Sequence, residues 1–484
     1  MNNPLLAELS RRDFLDFSVA GLGAAALMGL LGDQRAAAAE AEPARLPLPV
    51  PRANWARAKR AIHICLIGGL SQIDSFDYKP QLEKLHGKSL PEKEKPETFF
   101  GNVGLLRAGD WKFRQRGESG LWVSDLFPHL ATVADELTVI RSMVADTANH
   151  MPAMFQQNSG FQANGFPSLG SWLSYGLGNE TDSLPTFVVL PDARSLPNGD
   201  ASNWSSGFLP AGHQGVLFQN GDRPIRNLVA ERKIPVLSEK AGLSLLAEIN
   251  QSHLARREGD ELLKARIRAY ELAAKMQSSI PEAIDFADEP EFIPREYGLD
   301  QPETASCGRR CLLARRLLER GVRFVQIYSG GAFGGTPRHG WDGHEDNREN
   351  HEREAKMIDR PVAALISDLK RRGMLEETLL LFTTEFGRTP FTQSKANELG
   401  RGRDHNPKGF SVWLAGAGLR GGMAYGETDD IGWQAVKDAV TWPDFHATVL
   451  HLLGIDHEKL TYYHNGIQRR LTNVHGKVIK ALLA

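Results

Sequence analysis

The chain has 484 residues, with 57 basic and 59 acidic side chains and a formal net charge of −2 at pH 7. This balance gives no electrostatic reason to expect a nucleic acid as partner. The length suits one large α/β domain or two smaller ones, and a count of 47 glycines favours a loop-rich, enzyme-like fold.

The first 39 residues are predicted to be an export signal. Residues 10–15 read SRRDFL, which resembles the twin-arginine motif, and an apolar run rich in Gly and Ala follows over residues 19–31. Small residues at 36–39 suit a signal peptidase. The run is short for a membrane span, and no later segment is long and apolar enough to cross a bilayer. We therefore expect a periplasmic or extracellular protein without a stable membrane span after signal removal.

The rest of the chain is predicted to form one domain over residues 59–475, after a Pro-rich linker at 40–58. Short apolar runs predict buried strands, and periodic apolar residues predict helices. The strands are expected at 61–67, 137–141, 186–190, 323–328 and 378–384, the helices at 126–134, 307–320 and 445–453, and a helical insertion at about 236–300. Alternating strands and helices are typical of an α/β fold with a mostly parallel central sheet and helices on both faces.

The segment 373–388 is the clearest indication of a functional site. Gly373 ends an amphipathic helix, a continuous apolar strand follows, and Glu385 stands directly after that strand. Ligands of α/β sheets gather at the carboxyl ends of strands. A carboxylate buried there is costly unless it is paired or binds a metal. Glu385 is therefore predicted at the edge of an active site or metal site.

Four polar clusters follow strands or strand-like runs. They lie at residues 68–77, 146–150 and 339–347, and at Glu385 together with residues 403–406. Their imidazole and carboxylate groups form a ligand set that suits a divalent metal: zinc, calcium, magnesium or manganese. A single Asp or His in such a loop is more often a turn former or a solvated residue. Because all four clusters are predicted at one sheet edge, a metal site is favoured over scattered loop residues.

Several segments resemble the alkaline phosphatase and sulfatase superfamily. LEETLLLFTTEFG is similar to the strand that ends there in Ser-Asp-Asn-Gly or Ser-Asp-His-Gly, and DFHATVLHLLGI is similar to the late helix. RFVQIY followed by WDGH resembles the strand with the Asp-x-x-His metal pair, and DTANHMPAMFQQNSG resembles the nucleophile segment. More closely, GGLSQIDSFD, WDGHEDN, TTEFGR and GRDHN resemble the exported, sulfatase-like domain-of-unknown-function 1501 family.

The resemblance implies roles for individual residues. Asp342 and His344 would bind one metal together with His405, and Glu385 would replace the strand-end Asp that binds a second metal. The remaining candidate ligands are Asp74, Asp404 and His150. For His150, a hydrogen-bonded core histidine is an equally good interpretation.

Two positions depart from the superfamily pattern. Gly68 and Gly69 stand where the first strand of a phosphatase or sulfatase carries metal-binding Asp residues. The family spacing also places Asp146 at the nucleophile position, so Thr147 and Ser71 are the hydroxyl candidates. A Cys-x-Pro-x-Arg sequence is absent from the chain, which excludes the formylglycine maturation of true sulfatases.

These patterns predict an exported, metal-dependent hydrolase of phosphate or sulfate esters that acts on an anionic ester or polysaccharide. Arg388 or Arg403 could bind the anionic ester through two donors, or Arg388 could close a surface ion pair. The alternative is a non-catalytic envelope protein that uses the same fold to bind a glycan, an anionic polymer or a partner protein. The departures at Gly68, Gly69 and Asp146 motivate this alternative.

Overall fold

The computed structural model describes residues 49–91, 96–221, 225, 236–257, 259–332 and 338–484. The predicted export signal and residues 40–48 of the predicted linker lie outside this part of the chain. The chain divides into two compact units, Met1–Pro47 with Asn227–Glu271, and Leu48–Arg226 with Leu272–Ala484. Of the first unit, the described residues form one helix and the start of a second.

The second unit contains all the strands in the described part of the chain. In chain order these are β1 (Arg60–Leu66), β2 (Phe113–Arg116), β3 (Leu121–Ser124), β4 (Leu137–Val144), β5 (Phe187–Leu190), β6 (Val216–Leu217), β7 (Phe324–Ser329), β8 (Thr378–Thr384), β9 (Gly387–Thr392), β10 (Arg403–Asn406), β11 (Phe410–Gly416), β12 (Met423–Tyr425), β13 (Glu427–Thr428), β14 (Ala435–Lys437), β15 (Val440–Thr441), β16 (Tyr462–His464) and β17 (Ile467–Arg469).

The α-helices are α1 (Pro80–Lys84), α2 (His150–Ser159), α3 (Leu169–Leu177), α4 (Val236–Ala255), α5 (Glu261–Ile284), α6 (Phe292–Glu296), α7 (Pro302–Glu319), α8 (Asn347–Arg371) and α9 (Trp442–Leu452). Short 3₁₀ helices lie at Gln72–Asp74, Leu130–Glu136, Asp200–Trp204, Ala211–His213, Leu375–Glu377 and Lys480–Leu482. None of the helices that the structure describes combines the length and the apolar composition that crossing a membrane requires.

The central sheet has the strand order β12-β4-β11-β8-β1-β7-β5-β6, with β15 also paired to β4. Strand β11 runs antiparallel to both of its neighbours, and every other pairing in this sheet is parallel. The predicted α/β fold with a mostly parallel central sheet is therefore confirmed.

Strand β1 shows how the sheet is covered. Ala61 and Cys65 belong to one core cluster with Trp172 of α3 and Val449 of α9. Successive side chains of a strand point to opposite faces, and Ile62 on the other face is equally buried. Apolar groups on both faces are typical of a parallel strand in the middle of an α/β protein.

The three central strands end together. Leu66 of β1 is in register with Ser329 of β7 and with Thr384 of β8. The segments that follow these strands therefore begin at one edge of the sheet. Directly after β8, Glu385 leads into the antiparallel pair β9–β10, in which His405 lies opposite Arg388.

One predicted helix differs in the structure. In place of a helix over residues 126–134, the chain forms a 3₁₀ helix at Leu130–Glu136. Pro128 restricts the start of the segment, because proline lacks an N–H group and disfavours the helical conformation of the residue before it. The carboxylate of Asp359, on α8, accepts hydrogen bonds from the backbone N–H groups of His129 and Leu130, each at 2.7 Å.

Candidate metal centre

Four side chains from separate parts of the chain meet near the end of β8. His150 is the first residue of α2, Asp342 and His344 precede α8, and His405 lies on β10. One ligand atom of each lies within 4.8 Å of the ligand atoms of the other three. Of the His150 side chain 11% is exposed, and the exposed fractions of the other three are smaller. A buried group of three imidazoles and a carboxylate is a ligand set for a divalent cation.

Four distances within this group match the spacing of ligands around one ion. Asp342 Oδ1 lies 2.8 Å from His344 Nε2 and 3.4 Å from His405 Nε2. His150 Nε2 also lies 3.4 Å from Asp342 Oδ1, and His344 Nε2 lies 2.9 Å from His405 Nε2. Zinc bonds of about 2.0–2.1 Å at angles of about 90–110° place neighbouring ligand atoms about 2.9–3.4 Å apart. The residues present therefore fit a zinc-sized cation.

The outer nitrogens of two imidazoles determine where their protons lie. His405 Nδ1 lies 2.6 Å from the carbonyl oxygen of Ala148, and His344 Nδ1 contacts Oε1 of Gln393. Both oxygens only accept hydrogen bonds, so each Nδ1 carries the proton. The Nε2 atoms of His344 and His405 then direct lone pairs toward each other and toward Asp342. Such an arrangement is stabilised when a cation binds both lone pairs.

Glu385 orients the third imidazole. Its Oε1 lies 2.8 Å from His150 Nδ1 and accepts the backbone N–H of Gly68 at 2.8 Å. The side chain of Glu385 is completely buried. A carboxylate on the outer nitrogen of a metal-binding histidine fixes the ring and raises its basicity. Glu385, which the resemblance implies as a ligand of a second metal, thus contacts His150 and is not among the four residues whose ligand atoms converge.

The pKa values in the group follow from burial and from neighbouring charges. Burial would raise the pKa of Asp342, but the Arg388 guanidinium and the neighbouring imidazoles hold it far below its ordinary value. Burial lowers the pKa of His405 well below its ordinary value, although the Asp342 carboxylate, which favours the protonated ring, opposes this. For His150, burial lowers the pKa, but hydrogen bonds to Asp342 and Glu385 outweigh burial and raise it overall. An ionised Asp342 and a neutral His405 are the forms that bind a cation.

Arg388 is completely buried beside this group. Its Nη2 donates to Asp342 Oδ1 at 2.6 Å and also to the carbonyl oxygen of Gly68. Its Nε donates to the carbonyl oxygen of Gly69 at 2.9 Å, and its Nη1 to that of Arg403 at 3.1 Å. The structure therefore places the Arg388 guanidinium among protein acceptors in the interior, where it fixes Asp342 and the turn after β1.

Ser71 and Asp74 belong to a different buried group. Ser71 Oγ donates to Asp74 Oδ2 at 2.5 Å, and Asn347 Nδ2 donates to the same oxygen at 3.0 Å. Arg403 Nε lies 3.3 Å from it. All four residues are completely buried. Neither Ser71 nor Asp74 is among the four residues whose ligand atoms converge.

Two other predicted site residues lie at the border of the metal centre. The buried Asp404 accepts the backbone N–H of Phe100 at 2.9 Å and that of His405 at 2.7 Å. Asp404 therefore fixes the backbone of the neighbouring His405 by a hydrogen bond. Thr147 is partly exposed, and its Oγ1 accepts the backbone N–H of Asn149 at 3.1 Å.

Gly68 has no room for a side chain. Its φ is +119°, and a Cβ would lie 2.5 Å from the backbone nitrogen of Asp342 and 2.7 Å from that of Trp341. The close passage of this neighbouring segment explains why a glycine follows β1. The place that the superfamily resemblance reserves for a metal-binding carboxylate is therefore filled by backbone, whose N–H binds Glu385.

Sequence reasoning missed the residues that surround the imidazoles. The ring of the completely buried Phe386 lies 4.4 Å from that of His405, measured between centroids. On the outer side, Phe99 and Phe100 contact the imidazoles, and Gln393 binds His344. Phe99, Phe100 and Gln393 lie in segments without a recognised ligand motif, whereas Phe386 directly follows Glu385 in the TTEFGR sequence. The adjacent pair of phenylalanines in an otherwise polar segment was the available signal.

Fold and site together define an α/β protein with a buried His/Asp cluster that could bind a divalent metal. Residues 58–483 match a family described as "Protein of unknown function (DUF1501)". The chain therefore belongs to this family. Comparison with curated proteins finds no significant match.

The chain is also similar to several solved structures. One is the PsFucS1 sulfatase from Pseudoalteromonas sp., at 13% identity over 88% of this chain and 72% of that chain, with a TM-score of 0.36. Another is the phosphonate monoester hydrolase SpPMH from Silicibacter pomeroyi, at 13% identity, 74% and 71% coverage and a TM-score of 0.34. A third is the zinc complex of the C-terminal periplasmic domain of EcEptC from Escherichia coli, at 11% identity, 85% and 87% coverage and a TM-score of 0.34.

Proposed function

We propose that this protein is an exported, metal-dependent hydrolase of phosphate or sulfate esters. The observation that carries the proposal is the convergence of three imidazole nitrogens and a carboxylate oxygen within 4.8 Å. His150, Asp342, His344 and His405 would hold the ion. A divalent cation at such a site supplies Lewis acidity and lowers the pKa of water.

Two arginines form ion pairs with Asp342, the carboxylate of the candidate site. Arg388 forms an ion pair with Asp342. It also donates to the carbonyl oxygens of Gly68 and Gly69, which fixes the backbone after β1 beside the site. Arg338, which is 28% exposed, donates to Asp342 Oδ2 at 2.5 Å and to Glu345 Oε1 at 2.8 Å, so its charge is shared between two carboxylates. The attraction of an anionic ester would therefore come from the bound cation, because opposite charges interact more strongly where water is partly excluded.

A non-catalytic binding protein is the second candidate. Ser71 Oγ is committed to Asp74, and Thr147 Oγ1 accepts from Asn149, so these two hydroxyls have other hydrogen bonds in the described structure. Hydrolysis would then rely on water as the nucleophile. A protein with the same cation site and without hydrolysis would bind an anionic glycan, an anionic polymer or a partner protein.

The test combines elemental analysis with an ester screen. Protein exported to its native compartment is purified, its metals are quantified by mass spectrometry, and aryl phosphates and aryl sulfates are offered. We expect about one divalent metal per chain, lost in His405→Ala and kept in His475→Ala, which removes an exposed imidazole. Metal-loaded protein that hydrolyses none of these esters would support the binding role. Equal metal content in the two variants would refute the metal centre itself.

A further inference from the structure

Two exposed aromatic rings cover the imidazoles on the solvent side. Phe99 is 46% exposed and Phe100 is 49% exposed. The ring of Phe99 stacks on that of His405, with centroids 5.1 Å apart and an angle of 30° between the planes. The ring of Phe100 meets that of His344 edge-on, at 4.9 Å and 85°. The two phenyl rings lie 4.9 Å apart and are perpendicular to each other.

The backbone that carries these rings is fixed to the site. The N–H of Phe100 donates to Asp404 Oδ2 at 2.9 Å, and Asp404 Oδ1 accepts the N–H of His405 at 2.7 Å. One buried carboxylate therefore connects the aromatic pair to a candidate metal ligand. The position of the rings relative to His405 is thereby defined by hydrogen bonds as well as by packing.

Packing of the imidazole does not account for both rings. Phe386 already covers the inner side of His405, and it is completely buried. Phe99 and Phe100 instead leave about half of their surfaces in water, which is unfavourable for apolar groups. Apolar surface retained next to a cluster of candidate ligands indicates a contact with a bound molecule.

We propose that Phe99 and Phe100 form an aromatic platform that selects esters whose alcohol group is a planar ring. This inference rests on the proposed function. The anionic group of the ester would lie at the metal centre, and the ring on its alcohol side would pack on the two phenyl rings. Aromatic groups prefer offset-stacked and edge-to-face contacts, and two perpendicular rings offer a planar guest one contact of each kind.

Non-hydrolysable phosphonates separate the platform from the metal centre. Benzylphosphonate is an analogue of phenyl phosphate in which a CH₂ group replaces the ester oxygen. Ethylphosphonate has the same anionic group without a ring. Binding of both to the zinc-loaded protein is measured by titration calorimetry. We expect benzylphosphonate to bind about tenfold more tightly than ethylphosphonate, as one additional aromatic contact with its buried surface allows.

The variants Phe99→Ala and Phe100→Ala are expected to remove most of this preference while the affinity for ethylphosphonate and the metal content stay unchanged. Phe99→Leu and Phe100→Leu keep apolar volume without a ring and serve if the alanine variants do not fold. Phe292→Ala, at a residue that is also 49% exposed, is the control and should leave the preference intact.

Each other outcome has a distinct meaning. Equal binding of the two phosphonates to the unaltered protein, or a preference that survives in the variants, overturns the platform and leaves the proposed function standing. Loss of metal from the phenylalanine variants overturns it as well, since the rings would then only support the ligands. If zinc-loaded protein binds neither phosphonate, the phosphate-ester form of the proposed function fails, and the platform fails with it.

Discussion

His344 Nε2 lies 2.9 Å from His405 Nε2, although the other ring nitrogen of each histidine already donates a hydrogen bond. Two nitrogen lone pairs at this separation repel each other. A cation between them converts the repulsion into two bonds, so the folded state is expected to depend on metal.

Metal binding should therefore raise the melting temperature. Zinc at about 100 times its dissociation constant stabilises a folded protein by about 2.7 kcal/mol. We expect this increment in the unaltered protein and in His475→Ala, where an exposed imidazole is removed, but not in His405→Ala. Scanning calorimetry of chelator-treated and zinc-loaded samples measures it. The same zinc response in both variants would show that the cluster does not bind the ion.

A methyl group at position 68 should destabilise the protein severely. The Cβ of Gly68→Ala would lie 2.5 Å from a backbone nitrogen, and the residue has a φ of +119°. Gly165→Ala is the matched control, because Gly165 has a φ of +96° with nothing within 4 Å of its Cβ position. We expect backbone strain alone to lower the free energy of unfolding by about 1 kcal/mol in the control. In Gly68→Ala the free energy of unfolding should fall by about 3 kcal/mol or more.

Urea denaturation monitored by fluorescence compares the two glycine variants. Zinc content should also fall in Gly68→Ala, because the clash displaces the backbone of Asp342. Equal denaturation midpoints would mean that residues 341–342 can move away without lowering the free energy of unfolding.

A buried polar contact should position the helix that carries His150. Gln157 Nε2, on α2, donates to Thr383 Oγ1 at 2.5 Å, and the same oxygen lies 2.7 Å from His63 Nε2. Both strands involved, β1 and β8, end at the candidate metal centre. Gln157→Met removes this bond inside the core, where a lost hydrogen bond costs about 1–3 kcal/mol.

The Gln157→Met variant should also bind zinc more weakly, because His150 lies at the start of the same helix. Competition with a chromophoric chelator measures the zinc affinity. Met151→Ala alters a residue of α2 that is 42% exposed, and it should change neither the stability nor the zinc affinity. A stability loss without any change in zinc affinity would restrict the contact to a role in packing.

The stability of the fold should depend on pH through Asp359. Burial raises the pKa of this carboxyl to about 6. In the unfolded chain it titrates near its ordinary value of about 3.9. Between these values the folded state holds the proton and the unfolded state releases it. The contribution of Asp359 to stability is therefore greatest below pH 4 and is lost as the pH rises through 6.

Ionisation of Asp359 should lower the free energy of unfolding by roughly 2–3 kcal/mol between pH 4 and pH 6. Urea denaturation at a series of pH values should show a steeper fall in the unaltered protein than in Asp359→Asn, which cannot ionise. Asp430→Asn removes an exposed carboxylate and should follow the unaltered protein. Parallel pH profiles for Asp359→Asn and the unaltered protein would contradict the prediction.

The arrangement of the sheet edge could be predicted because its signals are local. A continuous apolar run that ends in Glu385 indicates a buried parallel strand with a functional tip. Asp342 follows β7, whose carboxyl end lies beside that of β1, as expected of parallel strands. His405 reaches the same site through the antiparallel pair β9–β10, which follows Glu385.

Side-chain direction in the loops could not be predicted in this way. Ser71 and Asp74 follow the same strand edge, yet they pair with each other in a separate buried group. For His150 the sequence left two interpretations equal, because only the fold reveals Glu385 beside its outer nitrogen. The contacts of Phe99 and Phe100 depend on how a segment without periodicity returns to the site, which no local pattern encodes.

The crowding at Gly68 also constrains how this protein could have diverged. An acidic residue at position 68 would collide with the backbone of residues 341–342. The introduction of such a residue would therefore require a simultaneous shift of that second segment, and two coupled changes are rarer in evolution than one. Homologues with Asp at this position should accordingly carry an altered chain length or composition just before the WDGH sequence.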